Sequence, residues 1–88
     1  MHRCFIRFSL NGDDGTLTTY LSNLLTKAGF AKVGTGEYQA HSLTASALGA
    51  VFGEFWAAVG NPVGAFPGAS IPAGAHVDHI WTYSGTVS

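Results

Sequence analysis

Histidine and carboxylate side chains in the last third of the chain have a spacing that suits metal ligands. His76 and Asp78 are two residues apart, so within a regular strand both would point to the same face. Glu37 and His41 could complete the set, because histidine and carboxylate ligands suit several divalent metals. Two ligands at this spacing also occur by accident. We therefore predict neither a metal site nor a bound cofactor.

Nucleophilic and phosphate-binding chemistry have little support in the sequence. Cys4 is the only cysteine, which excludes an internal disulfide and a cysteine-based zinc site, and its apolar surroundings predict a small core residue. No serine is flanked by the turn glycines of a nucleophile elbow. Gly34-Thr35-Gly36 lacks the further glycine and the helix start of a phosphate-binding loop. We therefore predict no catalytic residue.

Two aspartates, Asp13 and Asp14, lie in the turn-forming stretch 11–15, directly before a helical pattern. Negative side chains at this position suit the positive end of the helix dipole, so we predict a capping and turn role. Metal ligation by the same carboxylates is the alternative.

Arg3, Phe5 and Arg7 alternate along the first strand and therefore share one of its faces. On an open sheet they could lie beside Glu37, Gln39 and His41. The last strand would bring either His76 and Asp78 or His79 and Trp81 near them. An aromatic ring between two arginines is how sheet-based proteins stack single-stranded bases. Aromatic and arginine side chains are also enriched in dimer interfaces, and that is the role we predict for this face.

The composition predicts a surface that is partly covered by a partner. Apolar residues make up 47% of the 88 residues and charged residues 10%, against roughly 25% charged in an ordinary soluble domain. Such a low charge favours association with a second copy or with another protein. The formal net charge is -1, which argues against holding double-stranded DNA by its phosphates.

No run of apolar residues reaches the roughly 18 residues that a membrane span requires. The apolar stretch 4–8 is interrupted by Arg7 and is too short for the core of a signal peptide. We expect a cytoplasmic protein that has no membrane partner.

Hydrophobic periodicity predicts the element order β-α-β-β-α-β. Residues 3–10 alternate as a strand with one apolar face. Residues 30–33 and 37–41 form a predicted hairpin, for which one bent strand is the alternative. The first helix has an apolar stripe that consists of Leu17, Tyr20, Leu21, Leu24, Leu25 and Ala28.

The central helix is predicted to begin at a cap, Ser42 or Thr44, and to stop at residues 60–62. Its other faces carry small residues and one charge, Glu54, which indicates either a second buried contact or a subunit interface. Its apolar stripe consists of Leu48, Val51, Phe52, Phe55, Trp56 and Val59.

An uncharged loop, residues 62–74, carries the apolar side chains of Val63, Phe66 and Ile71. We predict that they contact a partner, and closure of one end of the chain's own core is the alternative. The last strand, residues 76–83, follows the loop. Strict alternation would give it one face with Val77, His79, Trp81 and Tyr83, and a second with His76, Asp78, Ile80 and Thr82.

Together these elements predict one α+β domain over residues 1–88 with the ferredoxin-like split βαβ arrangement. Both helices would then cover one face of an antiparallel sheet and leave the other face open. We expect the open face to be the one that holds Arg3, Phe5 and Arg7.

Residues 24–48 resemble a stretch of a known group of proteins, through Gly29-Phe30, Gly34-Thr35 and Tyr38. The group comprises the virulence-associated protein D family and the CRISPR-associated second core protein, which are small ferredoxin-like dimers. The resemblance implies a homodimer with a sheet-against-sheet or edge-to-edge contact, as in toxin–antitoxin and mobile-element proteins.

In the nuclease members of that group, an aspartate ends the first strand and positions a divalent metal together with its dimer mate. The matching residues here are Phe8, Ser9 and Leu10, whereas Asp13 and Asp14 come later, in the turn. This departure argues against metal-dependent cleavage.

We therefore predict a small non-catalytic homodimeric interaction module, of the kind found as phage or mobile-element accessory proteins or as toxin–antitoxin-type proteins. A metal-dependent endoribonuclease and a single-stranded nucleic-acid binder are the two alternatives. The predicted interface consists of Arg3, Phe5, Arg7, Val63, Phe66 and Ile71.

Overall fold

A ten-residue strand at the start of the chain, β1, is the centre of the structure. The structure is a computed structural model that describes residues 1–86. Its elements are β1 (His2–Asn11), α1 (Thr16–Lys27), β2 (Ala31–Gly34), β3 (Glu37–Leu43), α2 (Ala45–Gly60), α3 (Pro62–Ala65) and β4 (His76–Thr86).

The strands form one four-stranded sheet in the order β2-β3-β1-β4, and every neighbouring pair is antiparallel. The prediction of an α+β fold with an antiparallel sheet is confirmed. The predicted hairpin in the middle of the chain is confirmed as well, because β2 pairs directly with β3. β2 and β4 are the two edges of the sheet.

One face of the sheet is covered by both long helices. Alternation along β1 buries Cys4, Ile6 and Phe8 on this face. The Phe8 ring lies 5.5 Å from the ring of Phe55 in α2. On the neighbouring strand, the Tyr38 hydroxyl donates a hydrogen bond of 2.7 Å to a serine hydroxyl of α1. The sheet and the pair of long helices therefore form two layers with a single hydrophobic core between them.

Helix α2 begins at Thr44, whose hydroxyl accepts a hydrogen bond of 3.0 Å from the Ala47 N–H. Its buried line is Leu48, Val51, Phe55 and Ala58. The prediction that Trp56 belongs to the buried stripe is wrong, because this side chain is 53% exposed. At 3.6 residues per turn, Trp56 lies roughly 120° around the helix from the centre of that line.

The last strand changes face at a β-bulge. Ser9 pairs with His79 and Leu10 pairs with Val77, so Asp78 is the extra residue of β4. The bulge turns Val77 towards the core, against which it packs together with Ile80. The prediction that Val77 shares a face with His79, Trp81 and Tyr83 is therefore wrong, because it assumed unbroken alternation.

The segment between α2 and β4 packs partly on the chain's own helices. The Phe66 ring lies 5.0 Å from the ring of Tyr20 in α1, and Ile71 packs against the core. Val63, in the short helix α3, is 70% exposed. Within the described part of the chain, no helix combines the length and the apolarity that crossing a bilayer requires.

Candidate functional site

The uncovered side of the sheet, which we call the open face, collects side chains from three strands. Phe5 of β1 has Gln39 and Tyr83 as its cross-strand neighbours. The cross-strand neighbours of Arg7 are Glu37 on β3 and Trp81 on β4. None of the side chains on this face is buried. They are Arg3, Phe5, Arg7, Glu37, Gln39, His41, His79, Trp81 and Tyr83.

Trp81 is the centre of a small cluster on the open face. The guanidinium carbon of Arg7 lies 5.2 Å from the centroid of the Trp81 ring, and the His79 ring stacks on that ring at 5.5 Å. Nδ1 of His79 is 3.0 Å from a carboxylate oxygen of Asp78. A cation–π contact at an exposed site contributes about 0.5–1 kcal/mol, so these neighbours hold the indole in place. Trp81 nevertheless remains 52% exposed.

Tyr83 extends this aromatic surface along β4. Its side chain is 63% exposed. A Cβ atom added at Gly85 would come within 3.2 Å of the Tyr83 hydroxyl oxygen, so the ring lies over the glycine two residues further on. On the open face, β4 therefore presents two large aromatic rings one after the other, Trp81 and Tyr83. Because Gly85 has no side chain, the Tyr83 ring can lie directly on the strand backbone there.

The charges on this face are few and nearly balanced. Among residues 1–86, neither Arg3 nor Arg7 has a carboxylate oxygen within 4.0 Å, and the contact between His79 and Asp78 is the one salt bridge found. Two arginines provide few phosphate contacts, and affinity for a nucleic-acid backbone rises with the number of such contacts. Aromatic and arginine side chains with few other charges are typical of protein interfaces.

The residues considered as metal ligands do not come together. Glu37 and His41 lie on β3, and β1 separates that strand from β4. His76 turns its Nδ1 to the Gly74 carbonyl oxygen, 2.8 Å away, on the far side of the bulge at Asp78. Within the described residues, no group of three histidine, cysteine or acidic side chains could hold a metal ion.

The aspartates before α1 hold the start of that helix, as predicted. The Asp13 carboxylate accepts hydrogen bonds of 3.0 Å from the Leu17 N–H and 2.9 Å from the Thr18 N–H, and a third of 2.8 Å from the Thr18 hydroxyl. Asp14 accepts one of 3.0 Å from the Thr16 N–H. Both carboxylates are therefore already engaged by the chain itself.

The pKa values of the two aspartates reflect these bonds. Partial burial of Asp13 by itself raises its pKa, but the hydrogen bonds from Thr18 and Leu17 outweigh it and leave the pKa below its ordinary value. The pKa of Asp14 is also lowered, chiefly by its hydrogen bonds with Thr16. Both side chains are thus charged at neutral pH, as a helix N-terminus favours.

Cys4 is a core residue, as predicted. Its side chain is fully buried, and the Ser84 hydroxyl lies 3.5 Å from its sulfur as a hydrogen-bond donor. Burial raises the pKa of the thiol, and the hydrogen bond from Ser84 only partly offsets this. A thiol held in its protonated form is a poor nucleophile.

The structure brings together only part of the predicted interface. Arg3, Phe5 and Arg7 lie on the open face, whereas Phe66 and Ile71 pack on the helix side of the sheet. A groove of about 740 Å³ lies on that side between the helices, and Phe66 is one of its walls. The sequence alone offered Trp81 only as part of one of two possible sets of neighbours for Arg3 and Arg7, and it did not assign Tyr83 to the site.

No known family model matches the chain, and neither do any of the curated proteins or solved structures with which it was compared.

Proposed function

We propose that the chain is a small non-catalytic interaction module that forms a homodimer through the β4 side of its open face. The observation that carries this proposal is that Trp81 and Tyr83 are more than half exposed on a face that no helix covers. They occur in a chain with only 10% charged residues. Tryptophan and tyrosine are enriched among the residues that dominate binding energies at protein interfaces.

We infer in addition that the architecture is the ferredoxin-like split βαβ arrangement. The strand order β2-β3-β1-β4, with every neighbouring pair antiparallel, supports this assignment. So does the core that α1 and α2 share on one face of the sheet. In this arrangement the face opposite the helices is the natural place for a partner.

Sedimentation velocity over a range of protein concentrations tests the proposal. We expect a dimer that dissociates on dilution in the micromolar range. Replacing both Trp81 and Tyr83 by serine should remove about 2 kcal/mol or more of binding free energy, which raises Kd at least roughly thirtyfold. The matched control is Trp56→Ser, because Trp56 is 53% exposed and Trp81 is 52% exposed, but Trp56 lies on α2. This control should dimerise like the unmodified chain.

Two results would contradict the proposal. One is a monomer at every concentration up to the millimolar range. The other is a dimer that dissociates equally in the Trp56 variant and in the double variant, because the loss of binding would then not be specific to Trp81 and Tyr83.

The nucleic-acid alternative rests on Arg3 and Arg7, which have no carboxylate partner among residues 1–86. Against it, Arg7 and His79 already pack on the Trp81 ring, which leaves less of that ring for a base. Tight binding of a labelled single-stranded RNA by a monomeric chain, weakened about tenfold by Phe5→Ala, would favour this alternative. Cleavage of that RNA in the presence of magnesium or manganese would instead favour the nuclease.

A further inference from the structure

The two edges of the sheet differ in how they are protected against pairing with another strand. β2 has four residues, includes Lys32 and is interrupted by a bulge between Lys32 and Gly34. Short length, a lysine and a bulge are the devices by which proteins block an edge. β4 has eleven residues and contains no lysine, arginine or proline, and its own bulge, at Asp78, lies near its start and leaves residues 79–86 regular. It therefore lacks most of the features that keep an edge strand unpaired.

Hydrogen bonding in the sheet shows which backbone groups of β4 are free. The Phe8 N–H donates to the Gly36 carbonyl oxygen, 2.9 Å away, on the β3 side of β1. Because bonding directions alternate along a strand, Arg7 turns its backbone groups towards β4, where Trp81 is its partner. The same alternation turns the backbone groups of Ile80, Thr82 and Ser84 away from β1, towards the free edge.

We propose that a second copy of this chain pairs with this edge, with its β4 antiparallel to the first and the two-fold axis at Thr82. The pairing would join two sheets into one of eight strands. This inference rests on the proposed homodimer and specifies how its two copies meet. An antiparallel pairing of identical edges requires a two-fold axis perpendicular to the sheet, so all the helices lie on one side.

The sequence of β4 is complementary to itself about this axis. Trp81 of each copy lies opposite Tyr83 of the other on the open face, and cross-strand aromatic pairs are favourable. His79 lies opposite Gly85, over which the Tyr83 ring of the same copy lies, so the imidazole meets that ring rather than a charged side chain. Asp78 is the one acidic residue of β4 and lies opposite Thr86, so no like charges meet.

Edge pairing also leaves the arginines of the open face in water. A face-to-face dimer would bury Arg3 and Arg7 of both copies, and among residues 1–86 neither has a carboxylate within 4.0 Å to compensate its charge. Burying a charge without a partner is strongly unfavourable. Pairing at the edge of β4 uses unpaired backbone groups and two aromatic rings, and it does not bury either arginine.

Proline substitution tests the inference, because proline removes one backbone N–H. Thr82→Pro removes an N–H that points to the free edge and leaves the bonds to β1 intact. We expect a folded protein whose dimer Kd is at least tenfold higher. Lys32→Pro is the matched control, since it removes an outward N–H from the β2 edge, and its Kd should be unchanged.

Cysteine cross-linking keeps the inference testable if Thr82→Pro does not fold. At the proposed axis the two Thr82 residues face each other as a hydrogen-bonded pair, with Cα atoms about 5.5 Å apart, a distance that a disulfide spans. Thr82→Cys should therefore form a covalent dimer under mild oxidation much faster than Thr35→Cys, whose site is exposed on the β2–β3 turn.

Four results would overturn the inference. A Thr82→Pro dimer as tight as the unmodified one, or equal cross-linking at positions 82 and 35, would leave the homodimer standing but place its contact elsewhere. Dissociation by Phe5→Ser but not by Thr82→Pro would indicate a face-to-face dimer. A chain that is monomeric without any substitution would overturn the homodimer and the edge pairing together.

Discussion

Phe55→Ala is expected to lower the free energy of unfolding by about 3–5 kcal/mol. Phe55 is 1% exposed and lies between α2 and the sheet, with its ring 5.5 Å from that of Phe8. Phe8 in turn stacks on Tyr38 at 5.7 Å, so the deletion opens a cavity at the point where the two layers meet. In a domain of this size the loss is a large part of the total stability.

Urea denaturation followed by circular dichroism measures this effect. Phe52→Ala is the control. This substitution removes the same group from the same helix, but the Phe52 side chain is only partly buried. We expect the control to cost roughly a third as much or less. Equal losses for the two variants would contradict the packing of α2 described above.

Gly36→Ala is expected to destabilise the chain by about 2–4 kcal/mol, for a reason that concerns the backbone. Gly36 has a φ of 67°, which is unfavourable for residues with a side chain. An alanine Cβ would in addition overlap the carbonyl oxygen of Phe8. The residue also accepts the hydrogen bond from the Phe8 N–H that ties the hairpin to β1.

Gly49→Ala is the same chemical change, but we expect it to raise the free energy of unfolding. Gly49 lies within α2, and a Cβ atom there meets no other atom within 4 Å. Alanine favours a helix interior over glycine, so this variant should gain roughly 0.5–1 kcal/mol. The two variants should therefore move the urea midpoint in opposite directions. A shift of the same sign in both would contradict the conformation of the β2–β3 turn.

Much of the fold follows from local patterns in the sequence. Strict alternation in β1 was enough to predict that Cys4, Ile6 and Phe8 are buried together. The bulge at Asp78 was not predictable in this way, because it arises from the pairing of β4 with Ser9 and Leu10 on a distant strand. The exposure of Trp56 likewise depends on which side of α2 meets the sheet.

The site was predictable only in part. Alternation placed Arg3, Phe5 and Arg7 on one face. The predicted arrangement placed the last strand near them, but which of its faces they meet depends on the register of β4 against β1. The sequence of the loop is compatible with Phe66 contacting either a partner or its own chain. The structure packs its ring on Tyr20 of α1. Local sequence gives no information on such distant contacts.

Tryptophan fluorescence tests the central claim most directly, because the chain has two tryptophans and one lies in the proposed interface. In a Trp56→Phe variant, all tryptophan emission comes from Trp81. We predict that its emission maximum moves to longer wavelength on dilution, as dissociation exposes the indole to water, and that the Trp81→Phe variant shows no such shift. Emission from Trp81 that stays at the long-wavelength, water-exposed position at every concentration would contradict the account.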